Sequence, residues 1–304
     1  MPIVNVRHLT RYRYRRPVTF GEHRIMFRPQ ESYDQRVIKS RLVIDPEPVE
    51  LRYVHDVFGN CVAVARFGAP ATTLTFESQV RLDHTPTALA SDEADLIDAS
   101  SGSFPFAYDA DDMPDLLRSI ERQHPDPERT LQRWARTFLR QDGPTGVLEA
   151  LTAMTRAIHA EFDYAQRLYG AAQPPLETLN SKQGTCRDFA VLMMEAARAL
   201  GLAARFVSGY VYDSTGPFGA GRVGGGHTHA WVRVYLPSCG WVEFDPTNGI
   251  VGNTDLIRVA IVRDPRQATP LSGAYSGASD DFLGMDVDVG VDVERSVVPV
   301  LKVA

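Results

Sequence analysis

From residue 3 to about 85 the chain is a succession of short runs in which apolar and polar residues alternate: "VNVRHLTRYRY", "RIMFRP", "RVIKSRLVID", "ELRYVHDVFGNCVAVARF" and "LTFESQVRL". A period of two sends successive side chains to opposite faces of a sheet, and the Pro, Gly and Asx residues between the runs turn the chain back each time. Such a segment folds as an antiparallel sandwich or barrel. "VFGNCV" predicts a hairpin turn centred on Gly59-Asn60, with Cys61 opening the returning strand as a buried small apolar residue. Arg and Tyr alternate in "RYRYRR", which predicts one solvated strand face.

Beyond this segment the period changes. Residues 86 to 113 are acidic and rich in Ser and Pro, and they predict a linker over 89–112. Three helical patterns follow: "MPDLLRSIERQ", "DPERTLQRWARTFLR" with Asp126 as cap and Pro127 in the first turn, and "TGVLEALTAMTRAIHAEF". The third sets Val147, Leu148, Leu151, Met154, Ile158 and Phe162 on one stripe. Strands come after the helices, an α+β order. With 304 residues there is room for two cores, and the expected division is a β-sandwich-like domain over 1–88 and a second domain over 89–304.

Charge and cysteine usage narrow the partners. Lys and Arg number 32 against 38 Asp and Glu, a formal charge of −6, so attraction to nucleic acid or an acidic membrane through bulk charge is not expected. A polyanionic partner is therefore not expected. The three cysteines, Cys61, Cys186 and Cys239, have no CxxC spacing and suggest neither a disulfide framework nor a zinc knuckle. The first residues contain no apolar leader, and no stretch approaches the roughly 18 apolar residues of a membrane span. A cytoplasmic protein is expected, and nothing in the sequence bears on its oligomeric state.

The cysteine in "SKQGTCRDFAV" begins a helix. Phe189, Leu192, Met193, Ala196, Ala197 and Leu200 recur at helical spacing, and Gly201 follows where a left-handed C-cap is wanted. Thr185 and Asp188 have capping-box spacing, which makes Thr185 the N-cap and Cys186 the first helical residue. The helix's positive end favours a thiolate there, and its unpaired N–H groups aim at whatever the sulfur attacks. The Cys186 N–H is thus one expected oxyanion donor.

A hairpin follows. "HTHAWVRVYL" and "GWVEFDP" flank "PSC", and Pro246 ends the second run because it has no N–H for the ladder. A loop over 237–239 pairs Leu236 with Gly240 and therefore Trp231 with Asp245, leaving Asp245 a diagonal same-face neighbour of His229. A carboxylate beside an imidazole is the orienting half of a Cys-His-Asp relay.

"GTCRDFA", "HAWVRVYLPSCGWVEFDPTNG" and the "FDY" at 162–164 resemble the transglutaminase-like superfamily, in its bacterial two-domain form. The likeness extends to the N-terminal "TRYRYRRPVTFGEHRIMFRP" and to "LIRVAIVRDPRQATPLSGAYSG". The resemblance implies a papain-like core, a helix N-terminus packed on an antiparallel sheet, preceded by an all-β sandwich-type domain. It also implies Cys186 as nucleophile, His229 as base and Asp245 as orienter, with no cofactor. The expected chemistry is attack on a peptide or glutamine-type amide through a thioester acyl-enzyme, ending in hydrolysis. Transfer to an amine, as by a protein-glutamine transglutaminase, shares every step but the last. For the second oxyanion donor Tyr164 is the first candidate, with Gln183 and Asn180 as rivals.

Other readings of the same residues stay open. His227, His229, Cys186 and Asp245 are a set that zinc can take, which would make a metallohydrolase, though the cap position of Cys186 favours a free thiolate and no H-E-x-x-H is present. A binding module that has lost catalysis is a third class. The glycine-rich stretch 216–226 precedes a strand, not a helix, and is expected to be a mobile loop gating entry beside His229, not a phosphate site. "MDVDVGVDVE" at 285–294 predicts a strand with a wet acidic face, its glycine being out of step with a calcium loop. Cys239 falls in the hairpin loop and is expected to be exposed and incidental.

Overall fold

The computed structural model describes residues 3–86, 102–167, 170–213, 222–237 and 239–294. The chain divides into two units: one joins Met1–Pro86, Tyr210–Thr228 and Pro270–Ala304, the other Thr87–Gly209 and His229–Thr269. In chain order the first six strands are β1 (Ile3–Phe20), β2 (His23–Ile25), β3 (Gln35–Asp45), β4 (Glu50–His55), β5 (Cys61–Arg66) and β6 (Ala71–His84). The middle of the chain holds β7 (Ser103–Phe104), α1 (Met113–Ile120), α2 (Thr130–Arg136), β8 (Thr145–Gly146), α3 (Val147–Glu161), β9 (Asp163–Tyr164), α4 (Pro175–Ser181), β10 (Gln183–Gly184) and α5 (Cys186–Ala199). Then come β11 (Ala204–Val211), β12 (His229–Leu236), β13 (Gly240–Asp245), β14 (Ile250–Val251), β15 (Leu256–Val262), β16 (Leu271–Ser272), β17 (Tyr275–Ser276) and β18 (Phe282–Glu294).

The first unit is the expected sandwich. One sheet runs β3–β6–β1, with β17 and β18 both on the far side of β1, and the other runs β16–β2–β5–β4. Inward residues of both meet in one core that includes Phe20, Ile25, Ile44, Ala63, Leu74 and Phe76. The alternation produces this directly, since each strand has one apolar face to bury. The turn before β5 is wider than expected. The ladder closes at His55 opposite Cys61, and Asp56 fills the loop by accepting from Phe58 N–H and Asn60 N–H, each at 2.9 Å. Only Gly59 takes a positive φ, of 79°, so the turn does not centre on a Gly59-Asn60 pair. Cys61 is half-buried, and burial raises its thiol pKa.

The tail beyond residue 269 belongs with the first unit, where the sequence alone suggested the second domain. The acidic β18 lies antiparallel along β1, and the two charge runs face each other. Arg7 meets Asp288 at 3.2 Å, Arg13 meets Asp286 at 3.2 Å, and Arg81 of β6 meets Glu294 at 2.9 Å. These pairs are exposed and screened by solvent, so they set register more than stability.

The second unit is a five-stranded sheet, β14–β13–β12–β11–β15, with α5 packed on β12. Every residue of α5 from Cys186 to Arg198 except Arg187 is buried, which makes it the central helix. The stripe on α3 is buried as expected. Helix α2 starts at Thr130, later than its sequence suggested, because Arg129 is left-handed at φ 54°. Asp126 still caps it from a distance, accepting from Thr130 N–H at 2.7 Å. Of the expected linker, residues 89–101 lie outside the described residues, and the described part begins with β7 paired to β8. Among the described residues no helix is long and apolar enough to cross a membrane.

Candidate active site

Local chemistry sets both ends of α5. Thr185 is the N-cap, and its N–H donates to the Asp188 carboxylate at 2.7 Å. At the other end Gly201, φ 88°, donates to the Arg198 carbonyl and Leu202 to that of Ala197, the paired bonds of a Schellman cap. Cys186 thus stands at the first helical position, 7 % exposed, a free thiol on the positive end of a buried helix.

The hairpin has the predicted register, Leu236 opposite Gly240 through Val232 opposite Phe244. Asp245, next on the strand, reaches His229 as the diagonal geometry requires: Nε2 donates to Asp245 Oδ2 at 2.8 Å, with both side chains fully buried. Since Nε2 carries this bond, Nδ1 is the nitrogen left for proton transfer. Nδ1 is buried with no hydrogen-bond partner, and the Cys186 side chain contributes to raising the ring's pKa. Burial alone would drive the imidazolium toward neutrality, but the Asp245 carboxylate and Cys186 outweigh it and raise the His229 pKa to about 10. Asp245 moves the other way: burial pushes it up, and His229 with the neighbouring donors hold it below the usual range.

Several residues that hold this pair were not singled out in the sequence. The Asn248 side-chain amide donates to Asp245 Oδ2 at 2.8 Å, and the Thr247 N–H donates to Oδ1 at 2.9 Å. His159 of α3 anchors the same turn by donating Nδ1–H to the Thr247 carbonyl at 2.8 Å. "DPTNG" carries a signal for this, an Asx turn folding over its own carboxylate. Trp231 stacks on His229 with the rings 6.0 Å apart. Behind them Gly209 pairs with His229, where a Cβ would stand 2.0 Å from the Ile257 carbonyl oxygen. Only glycine lets β11 carry β12 and β15 at that point.

Tyr164 is brought to the site by the short parallel ladder of β9 on β10, opposite Gly184. It is 38 % exposed, and burial together with the nearby Cys186 raises its pKa to about 12, so it keeps its proton as a donor. Gln183 is exposed on β10. The other two acids near the pair are committed elsewhere: Asp188 to the cap, and Glu243 to Arg233 at 3.1 Å and Arg258 at 3.2 Å. Among the described residues no three His, Cys, Asp or Glu side chains form a metal-ligand cluster. Cys239 lies half-buried in the hairpin loop, not fully exposed. Residues 214–221 of the glycine-rich stretch and its approach lie outside the described residues.

Residues 132–246 match the Transglutaminase-like superfamily, and residues 4–83 match the Bacterial transglutaminase-like N-terminal region. The uncharacterized protein Rv2569c of Mycobacterium tuberculosis is 29 % identical over 298 residues, 93 % of this chain and 91 % of that one. The uncharacterized protein ML0607 of Mycobacterium leprae is 26 % identical over 292 residues, 96 % and 98 % of the two chains. Among solved structures, a "Putative Cysteine Protease from Cytophaga hutchinsonii" superposes with a TM-score of 0.69 at 19 % identity, over 97 % of this chain and 92 % of that one. Its likeness is one of fold. The core of this chain therefore belongs to the transglutaminase-like superfamily, a group of cysteine-based hydrolases and acyltransferases, and it follows a bacterial transglutaminase-like N-terminal region.

Proposed function

We propose that the protein cleaves peptide or protein amides through a thioester on Cys186, with water as the usual acceptor. The observation that carries this is a thiol at the first residue of a buried helix together with an imidazole whose Nε2 is held by a buried carboxylate and whose buried Nδ1 has no hydrogen-bond partner. With a pKa near 10, His229 is protonated at neutral pH, and this imidazolium and the positive end of α5 together favour negative charge developing on the sulfur. The Cys186 sulfur attacks the carbonyl carbon, and the oxyanion takes the Cys186 N–H and the Tyr164 hydroxyl as donors. As the C–N bond breaks, Nδ1–H gives its proton to the leaving amine. Neutral His229 then takes a proton from water, hydroxide attacks the thioester carbonyl, and the thiolate departs.

Two expectations follow. Iodoacetamide at pH 6 is expected to label Cys186 well ahead of Cys61, whose thiol burial holds protonated. Equal rates would sink the nucleophile assignment. The alkaline limb belongs to His229: its raised pKa means the proton is present below about 10 and lost above it, so turnover of a cleaved peptide is expected to fall with a midpoint near pH 10.

The deciding experiment screens a glutamine-containing peptide library for new amines and for acyl transfer, with and without a primary amine. Products bearing only water support hydrolysis. Incorporation of the amine at glutamine would give the transglutaminase alternative instead, and no Cys186-dependent product in either arm would return the chain to a binding role.

A further inference from the structure

Asp188 is completely buried, yet it makes no bond to the catalytic pair. Its Oδ2 accepts from the Thr185 N–H at 2.7 Å and the Thr185 hydroxyl at 2.9 Å. Its Oδ1 accepts from the Arg167 guanidinium at 2.9 Å and the Gln173 N–H at 2.7 Å. One carboxylate thus ties the cap immediately before Cys186 to two points between β9 and α4. Arg187, the residue between Cys186 and Asp188, grips the same stretch, donating Nη1–H to the Gly170 carbonyl at 3.0 Å and Nη2–H to the Arg167 carbonyl at 2.9 Å. Ala165 N–H donates to the Gly184 carbonyl at 2.8 Å, just after Tyr164. Residues 165–167 and 170–174 are therefore strapped along Gly184–Asp188, the segment that carries the thiol.

A cap alone does not call for this. A capping carboxylate can leave its second oxygen in water, where a buried one must be fully paired to offset several kcal/mol of desolvation. Here the second set of partners comes from residues 165–167 and 170–174, which among the described residues belong to no helix or strand. The geometry points to residues 165–167 and 170–174 as the wall of an acyl-substrate groove, with Asp188, Arg167 and Arg187 as positioning residues that hold it beside Cys186. A peptide-sized substrate feels this wall, and a small electrophile does not. The inference rests on Cys186 being the nucleophile.

Two alkylating agents separate these on the full chain, with Cys61 and Cys239 replaced by Ser: iodoacetamide, which needs only the thiol, and a glutaminyl-peptide chloromethyl ketone, which must lie along the groove. Arg187→Gln is expected to slow the peptide reagent at least about tenfold and iodoacetamide less than about twofold. Arg167→Gln gives a larger loss of the same kind, and Arg167→Lys recovers part of it, because an ammonium still reaches the Asp188 carboxylate. Circular-dichroism melts accompany each variant. Arg187→Gln, half-buried with carbonyl partners, keeps the test in force if Arg167→Gln fails to fold. Equal losses with both reagents, no loss with the peptide reagent, or a wild-type protein that reacts no faster with the peptide reagent than with iodoacetamide would each overturn the wall. The nucleophile falls separately, if wild-type Cys186 reacts with iodoacetamide at pH 6 no faster than Cys61.

Discussion

Cys186→Ala and His229→Ala are each expected to reduce peptide-amide turnover to background, while Asp245→Ala retains a measurable residue, lower by about 10² to 10⁴. The losses are unequal because the roles are. Without the sulfur no thioester forms, and without the imidazole nothing delivers a proton to the leaving amine. Without Asp245 the thiol and ring both remain, but the ring loses the acceptor that holds Nε2–H and keeps Nδ1 as the transferring nitrogen. The Asn248 amide, 3.4 Å from Nε2, is a donor there and cannot replace it. The alkaline limb should move too: with the carboxylate gone, burial is opposed only by Cys186, and the His229 pKa drops from about 10. Asn248→Ala should cost less than Asp245→Ala, since Thr247 N–H still holds Oδ1. The measurement is kcat/KM against pH on a cleaved peptide, with folding checked by circular dichroism. An Asp245→Ala variant that is folded and fully active would end the relay assignment. Neither Asp188 nor Glu243 stands ready to inherit it, because both carboxylates are already bound to arginines.

The features of this site that were legible in the sequence are those whose physics is local. Thr185 and Asp188 mark the start of α5 and Gly201 its end because caps are built from residues a few positions apart. The position of Asp245 beside His229 follows from a loop length, since a hairpin's register is set at its turn. What escaped was either side-chain chemistry inside a turn or pairing across the whole chain. Asp56 widens a turn that looked like a two-residue one, and Arg129 in the left-handed region delays α2. The pairing of β18 with β1 spans the entire second unit, and its trace was in plain view as two charge runs of opposite sign, each read alone as a solvated face. Asp188 shows the same limit in miniature: its bond to Thr185 is legible from spacing, its bonds to Arg167 and Gln173 are not.

The largest stability effect is expected far from the thiol, at Arg198. The apolar periodicity of α5 passes over it, yet Arg198 and Glu195 are an ion pair at 2.7 Å with no side-chain exposure at all. Arg198 also donates to the carbonyls of Ser119, Ala204 and Arg263, and Glu195 accepts from the N–H groups of Gln123 and His124. The pair therefore satisfies backbone groups in the last turn of α1 and just after it, at the start of β11 and just past β15, fixing the last turns of α5 among them. Arg198→Met strands a buried carboxylate and three carbonyls, and should cost about 3–5 kcal/mol in urea unfolding. Arg118→Gln, which breaks the exposed pair with Glu121, should leave the urea midpoint nearly unchanged. Replacing both partners, Arg198→Met with Glu195→Leu, distinguishes charge from scaffolding. A pair that only cancels its own desolvation can be exchanged for apolar residues at little cost. Here the exchange leaves five backbone partners without the pair's hydrogen bonds, so the double variant should remain destabilised by at least about 2 kcal/mol. A double variant as stable as the parent would show that water or other groups take over those bonds, and that the pair is not what fixes the end of the central helix.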